Sequence, residues 1–166
     1  MRKIVIAGGS GFLGNVLIDH FRELQDEVVI LTRGQGGERK GVKYIHWDGE
    51  KLDRWADILE GADALINLCG RTVNCRYNEK NRQEIYQSRL KSTRALSEAA
   101  KGLKNPPKVW LNSSSATIYE NSFNVPNDEK NGRIGTGFSV DVCKKWEEEF
   151  NREVVPAVRK VCLRTA

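Results

Sequence analysis

Gly8, Gly11 and Gly14 stand three residues apart in the string Gly8-Gly9-Ser10-Gly11-Phe12-Leu13-Gly14. The string follows the apolar run Lys3-Ile4-Val5-Ile6-Ala7 and opens a stretch of helical periodicity. Chemistry at such a place is done by bare backbone. Glycine at 8 permits a tight turn out of a strand. Glycine at 11 lets the main chain approach a phosphate, and glycine at 14 lets the helix pack closely on the strand. The N–H groups of the first helical turn and the positive end of the helix dipole complete an anion cradle. The occupant this pattern implies is the diphosphate of a nicotinamide dinucleotide.

Two further positions bear on which dinucleotide. The next apolar run ends Leu31-Thr32-Arg33, where an NAD site usually places an acid for the ribose 2′-hydroxyl. Arg33 offers instead a planar fork suited to a 2′-phosphate, so NADP is expected, with NAD as the alternative. Asp48, past a third apolar run, is placed to meet the adenine amino group or to close a turn. Leu68-Cys69-Gly70 ends a fourth run with glycine, where backbone can pass close to a cofactor.

These residues need a frame. The runs Lys3–Ala7, Glu27–Leu31, Val42–Trp47, Ala64–Leu68, Lys108–Leu111 and Lys160–Leu163 read as strands buried on both faces. Between them Phe12, Leu13, Val16, Leu17, Phe21 and Leu24 recur at helical spacing, as do Ile85, Leu90, Leu96 and Ala99-Ala100 over about 78–102. A third helix is expected from about Ser139 to Arg152, with Val142, Trp146 and Phe150 on one face. The polar stretch 120–137 reads as a loop. The alternation predicts an α/β Rossmann domain over 1–166, a doubly wound parallel sheet of order 3-2-1-4-5-6 with helices on both faces.

Composition narrows the classes. The net charge of +5 admits anionic partners, but basic and acidic residues are interspersed, as a solvated surface would have them. No helix-turn-helix, zinc-finger or aromatic RNA motif supports nucleic-acid binding. Cys69, Cys75, Cys143 and Cys162 form no CxxC pair, and His20 and His46 are the only histidines, so a metal centre is not expected. The run after Met1-Arg2-Lys3 is too short for a signal peptide, and no stretch suits a membrane span. A cytoplasmic protein with reduced thiols is expected.

Taken together, Gly8–Gly14, Asn67–Gly70 and Asn112–Tyr119 (NSSSATIY) resemble the extended short-chain dehydrogenase/reductase family. Arg76–Thr93 (RYNEKNRQEIYQSRLKST) and Cys143–Glu147 (CKKWE) are similar to its atypical epimerase-like subgroup. The resemblance spans nearly the whole chain and implies cofactor contacts from Gly8, Gly11, Phe12, Leu13, Gly14, Thr32, Arg33, Cys69 and Gly70. It makes Arg89 a subgroup feature on the long helix, and Ser115 the serine that hydrogen-bonds a reacting hydroxyl or carbonyl. Ser113 to Ser115 end the fifth strand, at the carboxyl edge where ligands sit in such sheets. Ser115 also suits a turn cap.

The family's Tyr-x-x-x-Lys pair, whose lysine prepares the phenol for proton transfer, has no counterpart. Alignment on Trp146-Glu147 puts Ser139 and Cys143 at the two places, and Tyr119 belongs to the strand-end motif. The subgroup lacks the pair as a rule. Family members continue past the sixth strand into a substrate-binding lobe that is absent here, so a cofactor domain, either a fragment or a chain without that lobe, is expected. The resemblance implies a small-molecule substrate such as a sugar nucleotide, and a homodimer through the long helix and the Ser139 helix. Two functions stay open: an NAD(P)-dependent epimerase or oxidoreductase with no assigned base, and a non-catalytic NADP-binding module.

Overall fold

The computed structural model describes residues 1–165. Strand β1 (Lys3–Ala7) leads through the glycine turn into helix α1 (Phe12–Glu23), then β2 (Glu27–Thr32), β3 (Gly37–Arg39) and β4 (Val42–His46). A short 3-10 helix (Arg54–Leu59) precedes β5 (Ala64–Asn67) and the long helix α2 (Glu79–Gly102). Strand β6 (Val109–Ser115), a 3-10 turn (Ala116–Ile118), helix α3 (Phe138–Arg152) and β7 (Arg159–Thr165) complete the chain.

The seven strands lie in the order β3-β4-β2-β1-β5-β6-β7. All pairs are parallel except β3 with β4. The six parallel strands reproduce the expected order, and β3 is an addition. It escapes the apolar pattern because Gly37-Glu38-Arg39 is exposed throughout. Its two-residue link to β4, Lys40-Gly41, has positive φ at both positions (51° and 72°), the backbone that tight hairpins favour.

The pleat sorts the core into two layers. Val5, Ala7, Val29, Leu31, Leu65 and Trp110 face α2, α3 and the 3-10 helix, meeting Leu96, Phe150 and Trp55. Ile4, Ile6, Val28, Ile30 and Ile66 face the other way, onto Ile18, Leu17 and Phe21 of α1. Helices therefore cover both faces, α1 alone on one of them. The apolar stripe on α1 is narrower than its sequence suggests: Phe12 is 86% exposed, and Leu13, Val16 and Leu24 about half exposed. The contact with the sheet is made through Ile18, Leu17 and Phe21, while Gly14 is buried against the Gly9 backbone of the turn.

Asn78 caps α2, its side chain accepting from the Asn81 N–H, and orders the helix at the residue its sequence marks. Trp110 meets Phe150 edge-on at 4.8 Å between centroids and ties α3 to the sheet. Cys75 and Cys69 are free thiols, as are Cys143 and Cys162. Among the described residues no helix is long and apolar enough to cross a membrane.

Candidate functional site

The carboxyl ends of the strands open into a cleft of about 980 Å³, at the upper end of small-molecule sites. Its floor is the turn after β1. Gly8 sits at φ +75°, and a Cβ there would come within 3.0 Å of the Cys69 N and Sγ. Gly11 ends the turn in extended backbone, with open space where a side chain would project. The start of α1 has no side-chain cap and no acid in its first turn, so its first N–H groups stay available to an anion.

The closest packing in this turn differs in detail from the expected division of labour among the glycines. Gly14 packs most closely on the turn, since a Cβ there would lie 2.2 Å from the Gly9 carbonyl oxygen. Gly9 is the residue set against the strands, between Ile6 and Ile30. Ser10 joins Gly8 and Gly11 in lining the cleft, whereas Phe12, Leu13 and Gly14 do not line it.

On the β2 side the wall contains Thr32, Arg33, Arg39 and Asp48. Thr32 Oγ1 accepts from the Gly34 N–H at 3.1 Å and shapes the loop that presents Arg33. No sequence signal points to Arg39: the β3–β4 hairpin folds it back to the same wall. Its guanidinium lies 4.9 Å from the Tyr44 ring centroid and donates to the Gln35 carbonyl. Asp48 Oδ1 accepts from the Glu50 and Lys51 N–H groups, both at 2.8 Å, and those bonds hold its carboxyl below the usual aspartate value. It is thus a turn residue that also lines the cleft.

On the β5 side the wall is set by a buried polar network. Asn67 donates to Asn112 Oδ1 at 2.7 Å and to Thr93 Oγ1 at 3.2 Å, and the Trp146 indole N–H donates to the same Thr93 oxygen. Asn67 Oδ1 accepts from the Cys69 N–H, which fixes the start of Cys69-Gly70. Leu68, Cys69 and Gly70 all line the cleft. Burial pushes the Cys69 thiol up to about 12, so it is not a nucleophile at neutral pH. Ser88, Ser92, Lys91 and Arg71, which no motif marks as lining, come from α2 and the loop before it. Arg71 is neutralised by an ion pair with Glu84, and Lys91 by Glu50 at 2.8 Å.

Arg89 lies just behind this wall. Its Nη1 donates to the Ile85 and Arg71 carbonyls at 3.1 and 3.2 Å, and its guanidinium sits 5.1 Å from the Trp146 ring centroid. Ser113 and Ser115 stand half-buried at the end of β6, outside the lining of the cleft. Ser115 Oγ accepts from the Thr117 N–H at 3.2 Å, capping the 3-10 turn, and from Thr117 Oγ1 at 2.9 Å. Thr117 Oγ1 in turn lies 3.6 Å from Cys143 Sγ, so the residue at the family's lysine place is a buried thiol joined to Ser115 through Thr117. Ser139, at the tyrosine place, is exposed in the first turn of α3.

Two phenols near this end, Tyr86 and Tyr119, are engaged. Tyr86 donates to the Asp141 carboxylate; burial first, and that bond second, push its pKa up to about 12. Tyr119 accepts from Arg164 Nη1 at 2.7 Å. Arg164 grips Glu147 through Nε and Nη2, and Glu147 accepts from Ser114 at 2.6 Å. Burial alone would raise the Glu147 pKa, but Arg164 and Ser114 outweigh it and bring it below the ordinary glutamate value. This network welds β6, β7 and α3 together directly behind Ser115.

A mostly parallel sheet with a glycine turn and an uncapped helix start at its central strand defines a Rossmann-type nucleotide fold. A model of the NAD dependent epimerase/dehydratase family matches residues 4–138, and the chain belongs to that family. An epimerase family protein of Staphylococcus aureus is 29% identical over 148 residues, covering 89% of this chain and 49% of the relative. One from Staphylococcus haemolyticus is 29% identical over 163 residues, 93% of this chain and 53% of the relative. The human epimerase family protein SDR39U1, crystallised with NADPH, superposes with a TM-score of 0.83 at 28% identity, over 98% of this chain and 53% of that one. MoeE5, solved with UDP-glucuronic acid and NAD, superposes at 0.77 with 18% identity, over 98% and 54%, a likeness of fold alone. The chain spans about half the length of the curated relatives it matches.

Proposed function

We propose that this chain binds NADP(H) along the carboxyl edge of its sheet, with the diphosphate over Gly8–Gly11 and the 2′-phosphate between Arg33 and Arg39. The observation that carries the reading is the pairing of a bare, uncapped helix start with two guanidiniums, Arg33 after β2 and Arg39 at the end of β3, on one wall of the cleft. An anion is drawn to both. The open space at Gly11 is the room a diphosphate needs, and no acid sits at 33 to favour a free ribose hydroxyl. Structures of relatives with NADPH and NAD support the class of ligand. The dinucleotide domain occupies the whole of 1–166.

We further propose an oxidoreductase or epimerase acting on a nucleotide-sugar-like substrate, the class of ligand that MoeE5, of like fold, was solved with. The bound nicotinamide supplies a site that gives or takes a hydride. Ser115 donates its proton to the substrate oxygen: its own oxygen already accepts twice from Thr117, which leaves the O–H to point outward. Gly70 and the Cys69 backbone keep the β5 wall thin, and Asn67 keeps that wall in place. Cytoplasmic residence and a homodimer through α2 and α3 belong to the same reading.

The missing phenol–lysine pair favours a second reading, a dinucleotide-binding module without turnover. Ser139 and Cys143 cannot perform the proton transfer that pair performs. The two readings separate on mixing the NADPH- or NADP-loaded protein, at the full length its relatives have, with a panel of sugar nucleotides. Absorbance change at the nicotinamide band supports turnover. A silent panel supports the module. Failure of NADPH to bind at all contradicts both.

A further inference from the structure

Arg89 is a half-buried guanidinium with no carboxylate paired to it among the described residues. Its neighbours in charge are differently placed: Arg71 has Glu84, and Lys91 has Glu50. Of its donors, Nη1 alone is occupied, by two main-chain carbonyls. Two carbonyls and the Trp146 ring face it but no carboxylate does, and burial, the largest influence, holds its pKa below the usual guanidinium value. A cation without a carboxylate partner in such a place is costly, and such groups cluster where they act on something.

Its position says on what. A Cβ at Gly70 would meet Arg89 Cζ at 3.1 Å and Nη2 at 3.2 Å, so the guanidinium presses against the back of the one bare residue in the β5 wall. That wall lies on the far side of the glycine turn from Arg33 and Arg39, because β5 and β2 flank β1 on opposite sides. A dinucleotide whose phosphates lie over β1 and whose adenosine lies toward β2 must run its nicotinamide half toward β5. Gly70 is then the place where the cation behind the wall and the ring before it come closest.

We infer that Arg89 is a fixed positive charge that sets the oxidation-state preference of the bound dinucleotide, favouring the reduced over the oxidised form. The inference rests on the cofactor reading above. The oxidised nicotinamide ring carries a positive charge and the reduced ring carries none, so a buried cation nearby repels only the former. At an effective dielectric of about 20, Coulomb's law makes such a preference on the order of tenfold for charges about 12 Å apart, and larger for closer ones. Arg89 acts here as a positioning charge and touches neither phosphate nor Ser115.

The test is a pair of equilibrium titrations, NADPH and NADP⁺, each against the wild-type chain and the Arg89→Gln and Arg89→Lys variants. The wild type is expected to bind NADPH about tenfold more tightly than NADP⁺. Arg89→Gln should narrow that gap to about twofold, chiefly by tightening NADP⁺, and Arg89→Lys should keep most of it. Because the gap compares two ligands on one protein, general loosening of the fold moves both affinities and leaves the gap alone. A wild type that binds NADP⁺ as tightly as NADPH overturns the inference even if no variant folds. So does an Arg89→Gln gap equal to the wild-type gap, and in both cases the cofactor reading survives. A wild type that binds neither nucleotide removes that reading and this inference together.

Discussion

From the floor of the cleft to its β2 side the atoms proposed to hold the ligand are largely main chain, contributed by Gly8–Gly11 in the turn after β1, with two exposed arginines at the rim. At the β6 side the atoms of interest are side chains, and they come from β6, the 3-10 turn, α2 and α3. Backbone held by a strand-to-helix turn stays where the fold puts it, whatever the neighbouring side chains become. A side-chain constellation survives only while every contributing element keeps its residue. The first kind of site, as proposed, draws on the turn after β1, and the second has Ser139 and Cys143 at the places of tyrosine and lysine. Binding and catalysis can therefore part company in this fold.

Substitutions sharpen that contrast, and the largest effect is expected within the turn itself. Gly14→Val sets a side chain against the Gly9 backbone, which cannot yield as a flexible side chain would. It should cost about 3 kcal/mol or more of stability in denaturant unfolding. Gly11→Val lies three residues away and has open space around it with φ −89°. It should leave the unfolding midpoint nearly unchanged yet weaken NADPH by about 100-fold, or about 2.7 kcal/mol. If both variants lost stability alike, the division between a packing glycine and a binding glycine would be wrong.

At the other end, Glu147→Gln should cost about 2 kcal/mol at neutral pH, since it strips Arg164 and Ser114 of a mostly buried partner. The folded pKa of Glu147 lies below its unfolded value, so the native state holds the proton less firmly. Its contribution is complete above the ordinary glutamate value of 4.5 and is lost as pH falls through the lower, folded one. The wild type should therefore lose stability on acidification below about pH 4.5, and Glu147→Gln should lose less. Equal acid limbs for the two proteins would place the titrating group elsewhere.

Smaller effects separate the rim from the reacting end. Arg39→Ala should weaken NADPH by about tenfold and NADH by less than twofold, measured by fluorescence titration. Ser115→Ala should leave both nucleotides within about twofold, since Ser115 lies outside the lining of the cleft. An Arg39 variant that weakened NADH as much as NADPH would dissociate that guanidinium from the 2′-phosphate.

The same contrast explains what can be read without coordinates. The glycine spacing and the apolar runs are local signals, and they place the six parallel strands, their order and the span of α2. Strand β3 escapes them because its residues are glycine and charge. With it goes Arg39, whose place depends on a hairpin closed by Lys40-Gly41. That Gly9 rather than Gly14 packs on the strands is a matter of ångströms that spacing does not encode. Thr117, Arg71 and Glu147 acquire their positions from contacts thirteen or more residues distant or from turns of irregular backbone, and periodicity is silent on both. Arg89 is marked by resemblance alone; its unpaired state and its closeness to Gly70 are visible only once α2 is laid on the sheet.

The claim on which all of this depends is that a dinucleotide lies on the bare turn after β1. Calorimetric titration of NADPH into the wild type and into Gly11→Val, at equal concentration and with matched unfolding curves, tests it most directly. A saturable, one-to-one heat is expected for the wild type and none above dilution for the variant. Equal heats from two equally folded proteins would place the ligand elsewhere and contradict it.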